Sequence, residues 1–335
     1  MMNICASNEV GLPENQRVGV VIPVYNRRTI LLETLQCVVN QTRQPERVVI
    51  VDDGSTDGTP AAATQWLTAA RPRFEWQVIR AIHRSAGIAR NIGLQHVRSL
   101  PLVTFLDSDD RWPCDLLDRG VAALAAKPQA AAAIADRRFV DAPGESVDET
   151  DCRAVVDDPV TWFFQNGAGV ASCTLLRTAA VLQAGAWSET LESSEDAVLF
   201  SAIAMSAEWV HVAGTPVVFG MGSAQARREE HNLSERRADR HLHWARDFER
   251  IYQTVRAVRS DRSCASMRKA LGQRWYMAGK QLFKLGRADE CRECFARAVY
   301  WHPLMFRAWR KLAVTRISRQ SEPAVAAAPL RRLAA

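Results

Sequence analysis

A chain of 335 residues has room for two domains, or for one large α/β domain with an appended piece. With 47% hydrophobic and 24% charged residues, 17 Gly and 14 Pro, it lies outside the collagenous, fibrous and disordered classes. The net charge of +6 conceals a division at Glu195-Asp196: residues 1–196 carry 18 Lys and Arg against 25 Asp and Glu, whereas residues 197–335 carry 25 against 12.

The first 110 residues alternate strand and helix signals, the signature of parallel βαβ units. Val18 to Val24 is an apolar run closed by Tyr25-Asn26, and Thr29 to Val39 follows with helical spacing. Val48 to Val51 is a second apolar run that ends in acids. Behind it, Gly54-Ser55-Thr56-Asp57-Gly58 is turn-rich, and Thr59-Pro60 reads as an N-cap with proline at the first helical position. A strand is expected near Glu75 to Arg80, a helix over Gly87 to Val97, and a short buried strand over Leu102 to Leu106 that runs into Asp107-Ser108-Asp109-Asp110. Ligands of open α/β sheets bind outside the carboxyl ends of the strands, so acids at two such ends are candidates for function.

Further along, short strands are expected near Ala131 to Ala135, Ser172 to Arg177 and Val210 to Phe219, with a helix near Asp196 to Ala204. Leu199 to Met221 is the most apolar long stretch. Glu208, His211 and Pro216 interrupt it, so it reads as a core helix followed by strands rather than a membrane span of about 20 residues. No export signal is visible in Met1 to Leu12, and the expected location is the cytoplasm. From Ser234 to Ser318 the pattern is helical and Arg-rich, with a break at Gly286 and Pro303 opening a last helix. Arg319 to Ala335 reads as a mobile tail. The eight Cys are expected as reduced thiols, with Cys291 and Cys294 on a helix face rather than on zinc. His241 and His243, two apart on a helix, share no face and have no metal role.

Four segments carry the chemistry: Pro23-Val24-Tyr25-Asn26; Val51-Asp52-Asp53-Gly54-Ser55-Thr56-Asp57-Gly58-Thr59; Gly87-Ile88-Ala89-Arg90-Asn91-Ile92-Gly93; and Phe105-Leu106-Asp107-Ser108-Asp109-Asp110. Asp107 and Asp109 offer hard oxygen ligands at a buried strand end, suited to Mg²⁺ or Mn²⁺ on a pyrophosphate. An alternative is an acid-rich helix start, which Asp110 in particular fits. Gly54 and Gly58 are backbone devices of a loop that needs positive φ.

In order and spacing, these segments resemble the nucleotide-sugar half of the family 2 glycosyltransferases of GT-A type, with the resemblance spanning roughly residues 16–220. It implies a Rossmann-like mixed α/β sheet flanked by helices over residues 16–233; the residue pattern adds an α-helical extension over 234–319 and a disordered tail over 320–335. By that resemblance Asp109 is the metal ligand and Asp107 lies near the metal, ribose or donor phosphate. Asp53 accepts a hydrogen bond from the base, favouring a UDP-sugar, while Pro23 and Tyr25 line the base pocket and Arg90 sits near the nucleotide. Leu175-Leu176-Arg177, Gly185-Ala186-Trp187-Ser188-Glu189 and Glu195-Asp196 stand where the family has its acceptor segment and catalytic acidic pair, with Asp196 as general base. Trp187-Ser188 departs from the usual Phe-Asp, which bears on the acceptor and not on the donor.

Arg227, Arg228 and His231 resemble a basic loop that clamps the pyrophosphate or adds a metal ligand; a solvated charged loop is the other reading. No Gln-x-x-Arg-Trp is found at the corresponding region, which argues against a processive synthase. The implied reaction is inverting sugar transfer to a hydroxyl of a glycan or lipid-linked acceptor in bacterial cell-surface glycan assembly. Competing readings are a non-catalytic nucleotide-sugar binder, a helical interaction module and a nucleotidyltransferase. Leu271, Ala278, Gly279, Leu285, Gly286, Ala296, Ala298 and Pro303 resemble one tetratricopeptide-like hairpin, though a lone unit reads better as a helical cap. The basic helices suit peripheral contact with an anionic membrane face or a lipid-diphosphate acceptor, or are a solvated face; nucleic acid is not expected, because no binding module accompanies the charge.

Overall fold

The computed structural model describes residues 14–82, 85–140, 146–166, 170–191, 194–220, 239–259 and 264–320. The chain divides into two compact units, Met1–Glu235 and Arg236–Ala335.

The first unit opens with β1 (Val18–Val24), α1 (Ile30–Val39), β2 (Arg47–Asp52), α2 (Thr59–Ala70), β3 (Glu75–Arg80), α3 (Ala86–Val97) and β4 (Leu102–Phe105). These strands pair in parallel in the order β3-β2-β1-β4, each joined to the next in the chain by a helix, as parallel neighbours require a crossover. Then come α4 (Leu116–Ala126), β5 (Ala130–Val140), β6 (Ser146–Thr150), α5 (Pro159–Asn166), β7 (Thr174–Arg177), α6 (Thr178–Gln183), α7 (Glu195–Ser206) and β8 (Glu208–Phe219). β7 lies antiparallel between β4 and β5. β5 pairs with β7 and then β6 along one edge, and with β8 in parallel along the other.

β1 is buried at all seven positions, which is why its sequence is a continuous apolar run and not an alternation. α3 presses on it closely enough to demand glycine on both sides. A Cβ at Gly19 would lie 2.5 Å from Val97 Cβ, and one at Gly93 would lie 2.3 Å from Val21 Cγ1. An aromatic cluster of Phe163, Trp187, Phe200 and Trp209 fills the core under α5 and α7.

Three expectations are corrected. Thr59 is the first helical residue of α2 rather than its cap. Gly58 precedes it at φ 87°, and the Thr59 hydroxyl is occupied by Asp57 Oδ1 and the Arg27 N–H. The apolar stretch after Leu199 holds one long strand rather than several, with a register shift between Ala135 and Arg137 that lets residues 213–216 bulge from β8. The last helix opens at Phe306, three residues after Pro303.

The second unit contains α8 (Arg240–Arg256), α9 (Ala265–Lys284), α10 (Ala288–Trp301) and α11 (Phe306–Gln320). Gly286, at φ 72°, turns the chain between α9 and α10, and Gly279 admits the Phe295 ring, which would stand 2.7 Å from a Cβ there. Cys291 and Cys294 are buried in this packing, and burial raises both thiols, Cys294 to about 12, so they are neutral side chains of the core. The tail expected over 320–335 falls outside the described residues beyond Gln320.

Candidate active site

The parallel strands β1, β2 and β4 all deliver their carboxyl ends to one edge of the sheet. There the loops after β1 and β2 are laced together. Asn26, at φ 49°, donates its N–H to Ser55 Oγ (2.8 Å) and accepts from the Thr56 N–H (2.9 Å), and the Arg28 N–H reaches Asp57 Oδ2 (3.2 Å). The Asp52 carboxylate is fully buried and accepts from the Ser55 N–H, so the first acid of the Asp52-Asp53 pair holds the turn. Asp53 donates its N–H to Val24 O (2.8 Å) and is 5% exposed. Pro23 is buried within β1, opposite Val51, and Tyr25 stands half-buried just beyond the strand end.

β4 delivers Asp107, Asp109 and Asp110 to the same edge, where two arginines meet them. Arg90 donates to Asp107 Oδ1 (2.7 Å), and Arg27, whose own N–H is held by Thr59 Oγ1, lies 3.6 Å from Asp109 Oδ2. Asp110 is turned inward instead. It accepts from the Ser172 hydroxyl (2.5 Å) and the Gly220 N–H (3.0 Å), while Ser172 Oγ also accepts from the Asp107 N–H (3.0 Å). Burial pushes the Asp110 carboxyl well above the usual range, and the neighbouring charges of Asp109 and Asp107 push it further. Three carboxyl groups within four residues thus crowd one strand end, and the innermost holds its proton more tightly because of the other two.

Arg90 reaches a second carboxylate as well. Its other terminal nitrogen donates to Glu195 Oε1 (2.9 Å) at the start of α7, and its guanidinium lies 4.4 Å over the Trp187 ring. Burial opposes its charge, but Asp107 and Glu195 more than reverse that and hold it firmly protonated. The side chain is 7% exposed, so the surface ion pair that a helical arginine suggests is a buried bridge.

The rest of the Gly87 to Gly93 segment docks the chain around Trp187. Asn91 accepts from the Trp187 N–H (3.0 Å) and donates to Trp187 O (2.9 Å), pairing both backbone groups as a neighbouring strand would. At Gly87 a Cβ would stand 2.5 Å from Ser188 O, so only glycine permits this approach. Trp187 is 2% exposed and packs edge-on against Phe105. It is therefore a core anchor, and this is what replaces the more usual Phe-Asp. Ser194, at φ 73°, turns the chain into α7, and Asp196 follows half-buried, accepting from the Ala197 N–H (2.7 Å).

Pro23, Tyr25, Asp53, Arg90, Asp107, Asp109, Glu195 and Asp196 thus all belong to this edge of the sheet or to the start of α7 that Arg90 ties to it. Arg227, Arg228 and His231 lie outside the described residues. Sequence reasoning missed Arg27 and Ser172. Arg27 directly follows the Tyr25-Asn26 strand end, a signal within reach, whereas nothing local marks Ser172, which acts 62 residues from Asp110. Asp107 and Asp109 fit a divalent cation: they are partly exposed oxygen donors two residues apart at one strand end. Among the described residues a second ligand-like group is Asp136, Asp151 and His211. There His211 Nε2 is hydrogen-bonded to Asp136 (2.8 Å) and Arg153 grips Asp151, so it reads as a tie between β5 and β8.

The mixed sheet with its parallel half, its flanking helices and the acidic end of β4 defines a GT-A type nucleotide-diphospho-sugar fold. Residues 19–166 match the family model described as Glycosyl transferase family 2. Among curated relatives, TuaG of Bacillus subtilis strain 168 is 33% identical over 109 residues, 30% of this chain and 39% of its own. Validoxylamine A glucosyltransferase of Streptomyces hygroscopicus subsp. limoneus is 38% identical over 93 residues, 27% of this chain and 20% of its own. The chain spans well under half the length of such relatives. Among solved structures, S. aureus TarS 1–349 in complex with UDP-GlcNAc aligns with TM-score 0.62 at 16% identity, covering 91% of this chain and 92% of that one. The Pyrobaculum calidifontis mannosyltransferase PcManGT, in complex with GDP-Man and Mn²⁺, aligns with TM-score 0.57 at 20% identity, covering 92% and 81%.

Proposed function

We propose that the protein is a metal-dependent inverting glycosyltransferase that moves a sugar from a nucleotide-sugar, a UDP-sugar first, to a hydroxyl of a glycan or lipid-linked acceptor in bacterial surface-glycan assembly. One observation carries this reading: a single buried guanidinium, Arg90, bridges Asp107 on the donor-side strand end and Glu195 beside Asp196 on α7. A donor carboxylate and an acceptor-side acid are thereby fixed in one constellation.

Asp109 and Asp107 would hold Mg²⁺ or Mn²⁺, which when bound neutralises the diphosphate leaving group. Asp53 accepts a hydrogen bond from the imide of the base, against a wall formed by Pro23 and Tyr25. Asp53 is the reason for preferring uracil, since the fold itself accommodates either base: TarS holds UDP-GlcNAc and PcManGT holds GDP-Man. Arg227 and His231, which lie outside the described residues, are assigned by the family resemblance to the diphosphate. Asp196 takes the proton of the acceptor hydroxyl as that oxygen attacks the anomeric carbon from the face opposite the leaving diphosphate, which inverts the centre. The transition state is oxocarbenium-like, as in glycoside hydrolysis. Glu195, anchored by Arg90, fixes the start of α7 and hence the position of Asp196.

A base so placed contributes about 10²–10⁴-fold. Asp196→Asn is therefore expected to lower kcat by about that factor while nucleotide binding is unchanged, with UDP release as the readout. Full transfer in that variant would contradict the assignment, and release of pyrophosphate instead of UDP would redirect the reading to nucleotidyl transfer.

A further inference from the structure

The turn between α10 and α11 exposes four large apolar side chains within ten residues: Tyr300 (68%), Leu304 (74%), Phe306 (79%) and Trp309 (49%). The backbone beneath them is fixed. Met305, Ala308 and Leu312 are buried on the inner face, the Met305 N–H donates to His302 O (3.0 Å), and Trp309 Nε1 donates to Pro303 O (2.9 Å). A soluble surface seldom gathers such a patch without a partner. Its electrostatic setting is one-sided: residues 294–321 contain six Lys and Arg and no Asp or Glu. Arg307 stacks over Tyr276 (4.7 Å), Lys311 lies 4.9 Å from the Phe283 ring and Arg310 is exposed, and among the described residues none of the three pairs with a carboxylate.

Exposed aromatic and aliphatic tips beside Arg307, Arg310 and Lys311 match one environment, the interface of an anionic bilayer. The tips enter the acyl boundary and the cations meet phosphates. A second copy of this chain would bring two sets of Arg307, Arg310 and Lys311 together. A nucleic acid would match the charge but leave Leu304 and Phe306 without an apolar host. We propose that the α10–α11 turn is a membrane-interface surface for anionic phospholipid, with Leu304, Phe306 and Trp309 as the inserted side chains and Arg307, Arg310 and Lys311 as the headgroup contacts. This does not depend on the sugar-transfer reading, because it is measured without nucleotide.

The test is co-sedimentation of the full chain with phosphatidylcholine vesicles with and without phosphatidylglycerol, beside quenching of tryptophan fluorescence by brominated lipid. Binding is expected only with phosphatidylglycerol, weakened by salt, and reduced on the order of 100-fold in the Arg307→Gln/Arg310→Gln/Lys311→Gln variant, given about 1 kcal/mol per basic side chain. Leu304→Asp with Phe306→Asp should abolish it, and Trp309→Phe should remove most of the quenching. All substituted side chains are exposed or half-exposed, and wild-type quenching is read without any variant. Absence of binding to phosphatidylglycerol vesicles, or binding indifferent to both sets of substitutions, would overturn the proposal. So would a concentration-dependent dimer dissolved by Leu304→Asp, which would give the face to a second copy.

Discussion

Without the Arg90 guanidinium, Asp107 and Glu195 would remain partly buried and unpaired, and Trp187 would lose the cation over its ring. Breaking a buried charge pair by removing one partner typically costs about 3–5 kcal/mol. Arg90→Met is therefore expected to lower unfolding stability by that order and to abolish transfer, measured by urea denaturation and by activity; a stable, active variant would show that the bridge is dispensable. Asp110 offers a test by pH. Its folded pKa is raised, so the native chain keeps the proton longer than the unfolded one. Stability present below the unfolded value of about 3.9 is then lost as pH rises toward the raised folded value. Asp110→Asn should remove that decline in a series of urea midpoints taken with chelator present. An unchanged pH slope would mean that the burial of Asp110 is compensated elsewhere.

At the scale of elements, α3 is the piece whose placement makes the site. Its N-terminus reaches Ser188 through Gly87, its middle bridges carboxylates through Arg90, and its inner face lies on β1 through Gly93. Gly93→Ala would drive a methyl to within 2.3 Å of Val21 Cγ1, and such overpacking costs about 1–3 kcal/mol. A correspondingly lower urea midpoint is expected, and an unchanged one would show that β1 and α3 can separate without cost. The parallel half of the fold was legible because its strands are unbroken apolar runs and its helices begin at turn chemistry: β1, β2, β3, α3 and β4 all lie where the sequence places them, within a residue or two. Between Arg111 and Gly185 the signals fade. α4 and β6 were missed, as were α5 and α6; β6, for one, is a short polar strand, Ser-Val-Asp-Glu-Thr, which pairs with β5. β5 was expected only over Ala131 to Ala135, and its extension to Val140 pairs with β8 as far as Phe139–Phe219, eighty residues away. The same limit holds for the site. Asp107, Asp109, Asp53 and the Glu195-Asp196 pair could be named as candidates from local order, but Ser172, which ties the Asp107 N–H to the Asp110 carboxylate, appears only when distant loops meet.

At the scale of the whole chain, the charge division noted in the sequence separates two kinds of surface. The acidic half carries the sheet edge with its carboxylates, and the basic half carries the helices whose last turn exposes aromatic side chains. Each unit has an aromatic core of its own: Phe163, Trp187, Phe200 and Trp209 in the first, and Tyr252, Trp275, Phe295 and Trp301 in the second. A fragment ending at Glu235 is therefore expected to fold and to bind nucleotide as the full chain does, checked by circular dichroism and calorimetry; loss of folding would show that the first unit needs the second. The central claim is that the end of β4 builds a cation-assisted nucleoside-diphosphate site. Its most direct test is calorimetric titration of the full chain with UDP, with and without Mn²⁺, in wild type and Asp109→Ala. The account predicts binding that requires Mn²⁺ and is lost in the variant, whereas UDP binding indifferent to both, or no binding of UDP under either condition, would contradict it.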